Sequence, residues 1–375
     1  MASIDKVSTG WRARWRTPDG QSRSKTFARK ADATNHLTSV DSSKLMGAYI
    51  DPSAGRVSFK SYAEQWRASQ VHRSRTSDHV ESNLRLHVYP RIGHRPIGSI
   101  RTNEIQALIK AMEVGTGERP PLAPSTIGTA YVWVATIFEA AVTDRVIGLT
   151  PCRKVKLPQV EETKVVPLAL ETVEALAAAV PDRYRALIVL GAGAGPRLGE
   201  ALGLTLDRVD FLRRTVTIDR QLLRSGGSGP VFGPVKDRKN RPRTIPLPSV
   251  VGDALAVHLR KWPAGPQGLI FTSNSGGPIR RTPWGDMWRA AAEPLGIAKG
   301  DGYHQLRHFY ASLLIRHGES VKVVQERLGH ASAQITMDTY AHLWPDSDDS
   351  TRAAVDSVLG NSAVSGACQP QTGDS

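Results

Sequence analysis

The sequence contains little that could cross-link the chain or anchor it in a bilayer. Its 375 residues include only two cysteines, Cys152 and Cys368, which are far apart and form no CxxC pair. This spacing predicts neither a disulfide framework nor a thiolate zinc site. No apolar run reaches the roughly 18 residues that a membrane-spanning helix needs. The first residues also contain no apolar signal segment. We therefore expect a soluble protein of the reducing cytoplasm.

Acidic residues are scarce relative to basic ones. Lys and Arg number 49 against 35 Asp and Glu, which gives a formal net charge of +14. The isoelectric point is about 10.0. This balance favours a polyanionic partner, either nucleic acid or an acidic membrane surface. The apolar fraction of 40% is typical of folded domains and argues against a disordered or collagen-like chain. At roughly 100–200 residues per domain, the length allows two or three domains.

An alternation of arginine with apolar residues marks the N-terminal segment as a strand. Side chains of a strand point to opposite faces in turn, so residues 11–16 place three arginines on one face and two tryptophans on the other. A turn at 17–20 leads to a second strand at about 22–27. A helix is expected at about 29–46. The sequence thus predicts a small ββ(β)α domain at 1–55.

Basic residues dominate this N-terminal domain. Residues 1–30 contain eight Lys and Arg against two Asp, a local surplus of +6. One interpretation is a solvated basic face on a small cap. The other, which we favour, is a ribbon that binds DNA phosphates or enters a groove. The residues expected to contact DNA are Arg12, Arg14, Arg16, Arg23 and Lys25.

The segment 56–160 is predicted to be an all-α domain without catalytic residues. Apolar residues recur at helical spacing in four places, which are 59–66, 80–88, about 102–113 and 125–145. Pro90 is expected to stop the second helix. Basic residues rim these helices and face either solvent or DNA.

A glycine-rich run at 191–195 invites comparison with a dinucleotide-binding loop, but the match fails. A GxGxxG motif that starts at Gly191 needs glycine where Pro196 stands, and no strand clearly precedes it. Proline fits the first turn of a new helix. This places Arg197 at a helix N-terminus, where backbone N–H groups also favour an anion. Alone, such an arginine is an ordinary surface residue, and its interpretation depends on the motifs that follow.

A strongly basic run occupies 235–243, between strands predicted at 215–218, about 221–224 and 243–247. Such a run is usually the solvated tip of a hairpin. In an enzyme that acts on DNA, it would be a flexible arm that delivers a lysine to the strand.

Three polar residues share one face of a later predicted helix. His304, Arg307 and His308 lie at i, i+3 and i+4, away from the apolar stripe. Two histidines four apart suggest a zinc helix of the HExxH type. However, Gln305 replaces the required glutamate, and Arg307 would place a cation beside the metal. A guanidinium together with imidazoles is better suited to a phosphate oxyanion.

Two more polar residues follow in the next segment. A helix at about 319–328 ends at Gly329, a natural C-terminal cap, which leaves His330 at its exit. Tyr340 lies ten residues further on. Taken singly, His330 could be a helix-capping histidine and Tyr340 a half-buried tyrosine. Such structural roles do not explain why they occur together with Arg197, His304 and Arg307.

In order and spacing, these residues resemble the motifs of the tyrosine recombinases, the phage integrase family. The matching positions are 195–200, Lys236, 304–308, 328–330 and Tyr340. The likeness covers about 165–345, and coincidence across five separated motifs is improbable. The sequence departs from the family at Pro196, where Leu or Met is usual. Lys239 is a second candidate for the role of Lys236.

The resemblance implies a multidomain fold, mainly α with small β elements. Its expected parts are an arm-type DNA-binding domain at 1–55, an all-α core-binding (SAM-like) domain at 56–160, a mixed α/β tyrosine-recombinase catalytic domain at 161–345 and a partly disordered tail at 346–375. Residues 346–358 are expected to form a short helix that packs on a neighbouring protomer.

The resemblance also implies the reaction, a transesterification of DNA without metal, cofactor or ATP. The implied catalytic residues are Arg197, Lys236, His304, Arg307, His330 and Tyr340. Tyr340 attacks the phosphate and forms a 3′-phosphotyrosyl link, with His304 as general base and Lys236 as general acid. The two arginines and His330 stabilise the charged transition state.

Supporting roles and partners follow from the same resemblance. Glu200 is expected to brace the site, His308 to lie behind it or in the core, and Arg238 and Lys239 to contact DNA. The expected partner is double-stranded DNA at core-type and arm-type sites, bound by a homotetramer in the cytoplasm or nucleoid. A host DNA-bending protein and a directionality factor are further partners that the family allows; a membrane is not.

The N-terminal domain favours an integrase of a phage or mobile element. A chromosome-type resolvase needs only the helical and catalytic domains, whereas a bivalent protein holds two kinds of DNA site. A type IB topoisomerase-like enzyme shares the chemistry but acts on one duplex. A non-catalytic DNA-binding regulator is disfavoured because the nucleophile and both arginines are present.

Overall fold

The computed structural model describes residues 2–18, 20–72, 74–115, 119–161, 164–226, 229–235, 241–344 and 348–359. The chain divides into two compact units, Met1–Glu162 and Thr163–Ser375. Within the described residues, the first unit has two apolar clusters and the second has one. The predicted fold class, mainly α with small β elements, is confirmed.

The first unit opens with a three-stranded antiparallel sheet and a helix. The elements are β1 (Ser3–Val7), β2 (Gly10–Arg16), β3 (Ser22–Phe27) and α1 (Lys30–Leu45), with the strands in the order β1-β2-β3. Alternation along β2 buries Ala13 and Trp15 against α1 residues such as Leu37. The indole Nε1 of Trp15 donates to the hydroxyl of Tyr49 at 2.8 Å, which satisfies a buried polar group.

Helices form the rest of this unit. They are α2 (Phe59–Ser69), α3 (Ser74–Asn83), α4 (Tyr89–Ile92), α5 (Thr102–Val114) and α6 (Pro124–Thr143). Ser58 caps α2, because its hydroxyl accepts from the backbone N–H of Ser61 at 3.1 Å. By length and composition α6 could cross a membrane. Its inward residues, including Ile137 and Phe138, instead belong to the apolar cluster of this unit.

Pro90 does not end the second predicted helix, so that expectation was wrong. A π-helical turn, Leu84–Val88, joins α3 to α4, and Pro90 lies in the first turn of α4. Proline offers no N–H to the preceding turn, and the side chain of Arg119 donates to the carbonyl of Leu86, four residues before Pro90, instead. The helical path therefore continues to Ile92.

The second unit combines helices with two small antiparallel sheets. Its helices are α7 (Leu170–Ala179), α8 (Asp182–Ala194), α9 (Leu198–Leu202), α10 (Ser249–Lys261), α11 (Arg281–Ala292), α12 (His304–Arg316), α13 (Val321–Leu328), α14 (Ala333–Tyr340) and α15 (Asp348–Leu359). Its strands are β4 (Val209–Asp210), β5 (Thr215–Ile218), β6 (Arg220–Gly226), β7 (Gly229–Pro234) and β8 (Arg243–Pro246). One sheet has the order β4-β5-β8, and β6 pairs with β7.

The glycine-rich run packs α8 tightly against its neighbours. A Cβ atom on Gly193 would lie 2.4 Å from Cγ2 of Val251 on α10. One on Gly195 would lie 2.4 Å from Cδ1 of Tyr310 on α12. Gly195 also has φ of +63°, a conformation that glycine adopts without strain. The run therefore serves close helix packing and brings the start of α9 beside α12.

Candidate active site

Arg307 is the deepest cation of the predicted site. It lies on α12 with 0% of its surface exposed. Its Nη1 donates to the carbonyl of Gly195 at 2.8 Å, and its Nη2 donates to the carbonyl of Leu328. Nε has no partner among the described residues. Burial, together with Arg197 and Arg243, lowers the pKa of Arg307 to about 9. A bound anion would stabilise this buried charge.

Arg197 and Glu200 form a local unit at the start of α9. The backbone N–H of Arg197 donates to Oε2 of Glu200 at 2.9 Å, and its Nη1 lies 3.1 Å from Oε1. Glu200 is 1% exposed. Burial alone would raise the pKa of Glu200, but Arg243, Arg197 and Arg307 outweigh it and lower the pKa to about 2. Glu200 is therefore a carboxylate that accepts hydrogen bonds from both the backbone and the side chain of Arg197.

The two predicted arginines meet at consecutive carbonyls of one loop. Nη2 of Arg197 donates to the carbonyl of Gly329 at 3.4 Å, next to the Leu328 carbonyl that Arg307 contacts. Gly329 caps α13 with φ of +64°, the left-handed conformation expected from the sequence. The loop that carries His330 is thereby tied to both guanidinium groups.

His330 and Tyr340 lie face to face beside this loop. Their ring centroids are 6.3 Å apart with an interplanar angle of 10°. Nδ1 of His330 lies 2.8 Å from the hydroxyl of Thr336 on α14, which fixes the ring. Burial and the charges of Arg307 and Arg197 lower the pKa of His330 to about 3. The imidazole is therefore neutral at pH 7.

The hydroxyl of Tyr340 contacts His308, a residue that the sequence motifs did not assign to catalysis. Nδ1 of His308 lies 2.8 Å from this hydroxyl. Tyr340 is 1% exposed. Burial raises the pKa of Tyr340 to about 12, against the opposing effect of Arg307 and Arg197. Burial and Arg307 lower the pKa of His308 to about 4. A neutral imidazole thus lies within hydrogen-bonding distance of the phenol.

His304, the predicted general base, lies one turn away on α12. Its ring packs edge-on against His308 at 4.6 Å between centroids, and the residue remains exposed. Desolvation, together with the charges of His308 and Arg307, lowers the pKa of His304 to about 4. In this geometry the imidazole in contact with Tyr340 is that of His308. The sequence placed both histidines on one face and named His304 as the general base, with His308 behind the site or in the core.

Arg243, at the start of β8, is a further member of the cluster that the sequence did not single out. Its Nη2 lies 2.5 Å from Oε2 of Glu200, and its Nε donates to the carbonyl of Arg327 at 3.0 Å. Its side chain is 10% exposed. The sequence presented Arg243 only as the end of a basic run, which gave no sign of burial.

Three other predicted residues, Lys236, Arg238 and Lys239, lie outside the described residues. Among the described ones, no group of three or more His, Cys, Asp or Glu side chains is placed to hold a metal ion.

The predicted DNA-contacting residues of the N-terminal sheet lie on two faces. Arg12, Arg14 and Arg16 alternate with the buried residues of β2 and point away from α1. Arg23 pairs directly with Trp15 in the sheet, so it lies on the opposite face. Lys25 pairs with Ala13 and shares that face.

Arg23 has a structural contact on its face of the sheet. Its Nη2 lies 2.6 Å from Oδ2 of Asp51 and 3.0 Å from the hydroxyl of Ser53. The hydrogen bonds from Arg23 help to lower the pKa of Asp51 to about 2. Arg23 therefore fastens the segment that follows α1 to the sheet.

The second unit matches a known protein family, and known proteins are similar in sequence to most of the chain. Residues 165–346 match the model of the phage integrase family. The tyrosine recombinase XerD of Corynebacterium glutamicum is 28% identical over 264 residues, which are 67% of this chain and 81% of XerD. The prophage phiRv2 integrase of Mycobacterium tuberculosis is 26% identical over 336 residues, 86% of each chain.

Solved structures share the fold. The Tn1549 transposon integrase in complex with transposon right-end DNA has a TM-score of 0.67 at 24% identity, covering 80% of this chain and 99% of that one. A lambda integrase dimer bound to a core site has a TM-score of 0.59 at 15% identity, covering 92% and 96%.

Proposed function

The chain belongs to the phage integrase family of tyrosine recombinases, which are site-specific DNA recombinases, and we propose that it cleaves and rejoins DNA through Tyr340. In this reaction the phenolic oxygen bonds to the scissile phosphorus and the bond to the 5′ oxygen breaks. A 3′-phosphotyrosyl link and a free 5′-hydroxyl result. The hydroxyl of a partner duplex later attacks the link and releases Tyr340, so the bond energy is retained.

One observation carries this proposal. Arg307 and Arg197 donate to the adjacent carbonyls of Leu328 and Gly329, and the next residue, His330, stacks on Tyr340. Two cations and a hydrogen-bonding imidazole thus converge beside one phenol. A phosphate in this place would receive the positive charge that its transition state needs. We expect neither a metal ion nor ATP to be required.

Proton transfer from Tyr340 is assigned to His308. With its proton on Nε2, neutral His308 accepts the phenol proton at Nδ1 as the oxygen attacks. The 2.8 Å separation meets the geometric requirement for a general base. His304, which the sequence favoured, is then the neighbour that packs against the His308 ring. The departing 5′ oxygen takes a proton that we assign to Lys236, with Lys239 as the alternative donor.

The remaining assignments concern DNA and assembly. Arg12, Arg14 and Arg16 are proposed to contact arm-type DNA. Arg238 and Lys239 are proposed to contact DNA at the core site. The outward apolar residues of α15, Val355 and Val358, which are 49% and 68% exposed, suit packing on a second copy in a tetramer. We place the protein in the cytoplasm, associated with the nucleoid when bound.

Replacement of the nucleophile tests the proposal. Tyr340→Phe removes only the phenolic oxygen, so it should abolish covalent attachment to a nicked duplex and leave DNA binding intact. The matched control is Tyr184→Phe, at a tyrosine that packs edge-on against Trp284 outside the site. Protein–DNA adducts are resolved on a denaturing gel. An adduct that persists in Tyr340→Phe would remove Tyr340 from its role.

A further inference from the structure

Glu200 is shared by two arginines, and the closer contact belongs to Arg243. Oε2 of Glu200 lies 2.5 Å from Nη2 of Arg243, and Oε1 lies 3.3 Å from its Nη1. Arg197 reaches Oε1 with one guanidinium nitrogen at 3.1 Å. Arg243 therefore makes a two-pronged contact with a carboxylate that Arg197 touches with a single nitrogen of its guanidinium.

The arginine with the closer contact to Glu200, Arg243, is also the more buried of the two. The side chain of Arg197 is 27% exposed, whereas those of Arg243 and Glu200 are 10% and 1% exposed. A guanidinium that closes both prongs on a buried carboxylate has few donors left for a substrate. Arg243 fills that place, so Arg197 keeps donors on its accessible side.

Arg243 also holds the loop before His330. Its Nε donates to the carbonyl of Arg327 at 3.0 Å, and Nη1 of Arg327 returns a hydrogen bond to the carbonyl of Thr244 at 3.1 Å. A Cβ atom on Gly329 would lie 3.0 Å from Nη1 of Arg243. The last turn of α13 and the start of β8 are therefore tied together at this side chain.

We propose that Arg243 is a positioning residue that occupies the Glu200 carboxylate, leaves Arg197 free for the scissile phosphate and fixes the His330 loop. This inference rests on the proposed cleavage reaction. Without Arg243, the guanidinium of Arg197 forms a bidentate contact with Glu200 and moves away from the phosphate. The defect then depends on the charge of Glu200, which a purely structural role of Arg243 does not require.

The test is a double-mutant cycle in single-turnover cleavage of a nicked duplex. The variants are Arg243→Met, Glu200→Gln and their combination, compared at saturating protein and at a temperature where thermal melts show each to be folded. Arg243→Met should slow cleavage about 100-fold, a loss typical of one preorganised donor. The half-saturating DNA concentration should change less than about threefold. Adding Glu200→Gln should restore at least about tenfold, because a neutral amide does not capture Arg197.

Arg208→Met is the matched control. Arg208 is also paired with carboxylates, with Nε 2.8 Å from Oδ2 of Asp219. It is not one of the arginines around Glu200. It should leave the cleavage rate unchanged. The inference is overturned if Arg243→Met cleaves at the unmutated rate, or if the double variant is no faster than Arg243→Met.

A second pair of variants covers the case in which Arg243→Met does not fold. Arg243→Lys keeps the charge but cannot make a bidentate contact with Glu200. Adding Glu200→Gln should therefore accelerate cleavage by the Arg243→Lys protein as well. A slower Arg243→Lys/Glu200→Gln protein contradicts the inference. If the unmutated protein forms no covalent complex, the proposed reaction itself fails, and the role of Arg243 fails with it. If the unmutated protein and Arg243→Met both cleave at the normal rate, the proposed reaction stands and only the role of Arg243 is contradicted.

Discussion

Arginines in the two units of this protein work under different physical conditions. Arg14 on the N-terminal sheet has a side chain that is 53% exposed and one salt bridge to Asp5 at 3.3 Å. Arg307 on α12 is fully buried and held by two backbone carbonyls. An exposed arginine acts through a screened charge, whereas a buried one acts through fixed geometry. The comparison teaches that position, rather than residue type, decides how costly each replacement is.

The largest loss of cleavage rate should come from replacing Arg307, the buried arginine. Arg307→Lys keeps the charge, but it cannot span the carbonyls of Gly195 and Leu328 and still face a phosphate. We expect cleavage to fall about 1000-fold, with DNA affinity nearly unchanged. Single-turnover adduct formation measures the rate. Arg316→Lys, at an exposed position on the same helix, is the control. Near-normal cleavage by Arg307→Lys would break the contrast between the two kinds of arginine.

The next effect concerns the proton acceptor. His308→Gln should slow cleavage about 100-fold, since general-base catalysis contributes roughly 100- to 10,000-fold. His304→Gln should have a smaller effect, because the ring in contact with Tyr340 is that of His308. Adduct formation at pH 7 compares the two variants. If His304→Gln proves the slower enzyme, His304 is the base and the resting contact is rearranged on DNA.

Local patterns predicted the elements well. The alternation along β2 gave its two faces, and the glycine after α13 gave the left-handed cap that places His330 at the exit of the helix. These features depend on neighbours along the chain, so the sequence carries them. The π-helical turn before Pro90 was missed because a one-residue change of helical register has no marker in apolar spacing.

The missed site residues depend on packing between distant segments. Arg243 looked like the end of a solvated run, but pairing of β8 with β5 places it opposite Ile218 and beside buried Glu200. His308 shares a helix face with His304, and only the position of α14 decides which ring meets Tyr340. Neither fact is encoded in local spacing.

A smaller effect should appear in the N-terminal sheet. Replacement of Arg12, Arg14 and Arg16 by glutamine should weaken binding of an arm-type duplex about tenfold at moderate salt. It should also reduce the salt-dependence slope by about 0.9 for each DNA phosphate that an arginine no longer neutralises. Cleavage of a saturating core duplex should not change. Titrations at several salt concentrations measure the slope.

Arg23→Gln sharpens this prediction. Arg23 lies on the other face and binds Asp51, so its replacement should lower the melting temperature of the first unit and leave the salt slope intact. An equal slope change in Arg23→Gln and the triple variant would contradict the assignment of faces.

The smallest effect is on stability at low pH. The folded-state pKa of His308 is about 4, below its ordinary value of 6.5, so the unfolded chain binds more protons between these values. Stability should therefore be full above pH 6.5 and decline towards pH 4. His308 should contribute about 2 kcal/mol of loss between pH 7 and pH 5. Urea unfolding should show a shallower decline in His308→Gln; an unchanged decline would contradict the buried neutral imidazole.

The identity of the DNA-linked residue tests the central claim most directly. The covalent complex trapped on a nicked duplex is digested with protease, and the peptide that carries the nucleotide is sequenced by mass spectrometry. The account predicts a phosphodiester to the phenolic oxygen of Tyr340, with the 3′ end of the cleaved strand attached. An adduct on any other side chain, or at a 5′ end, would contradict it.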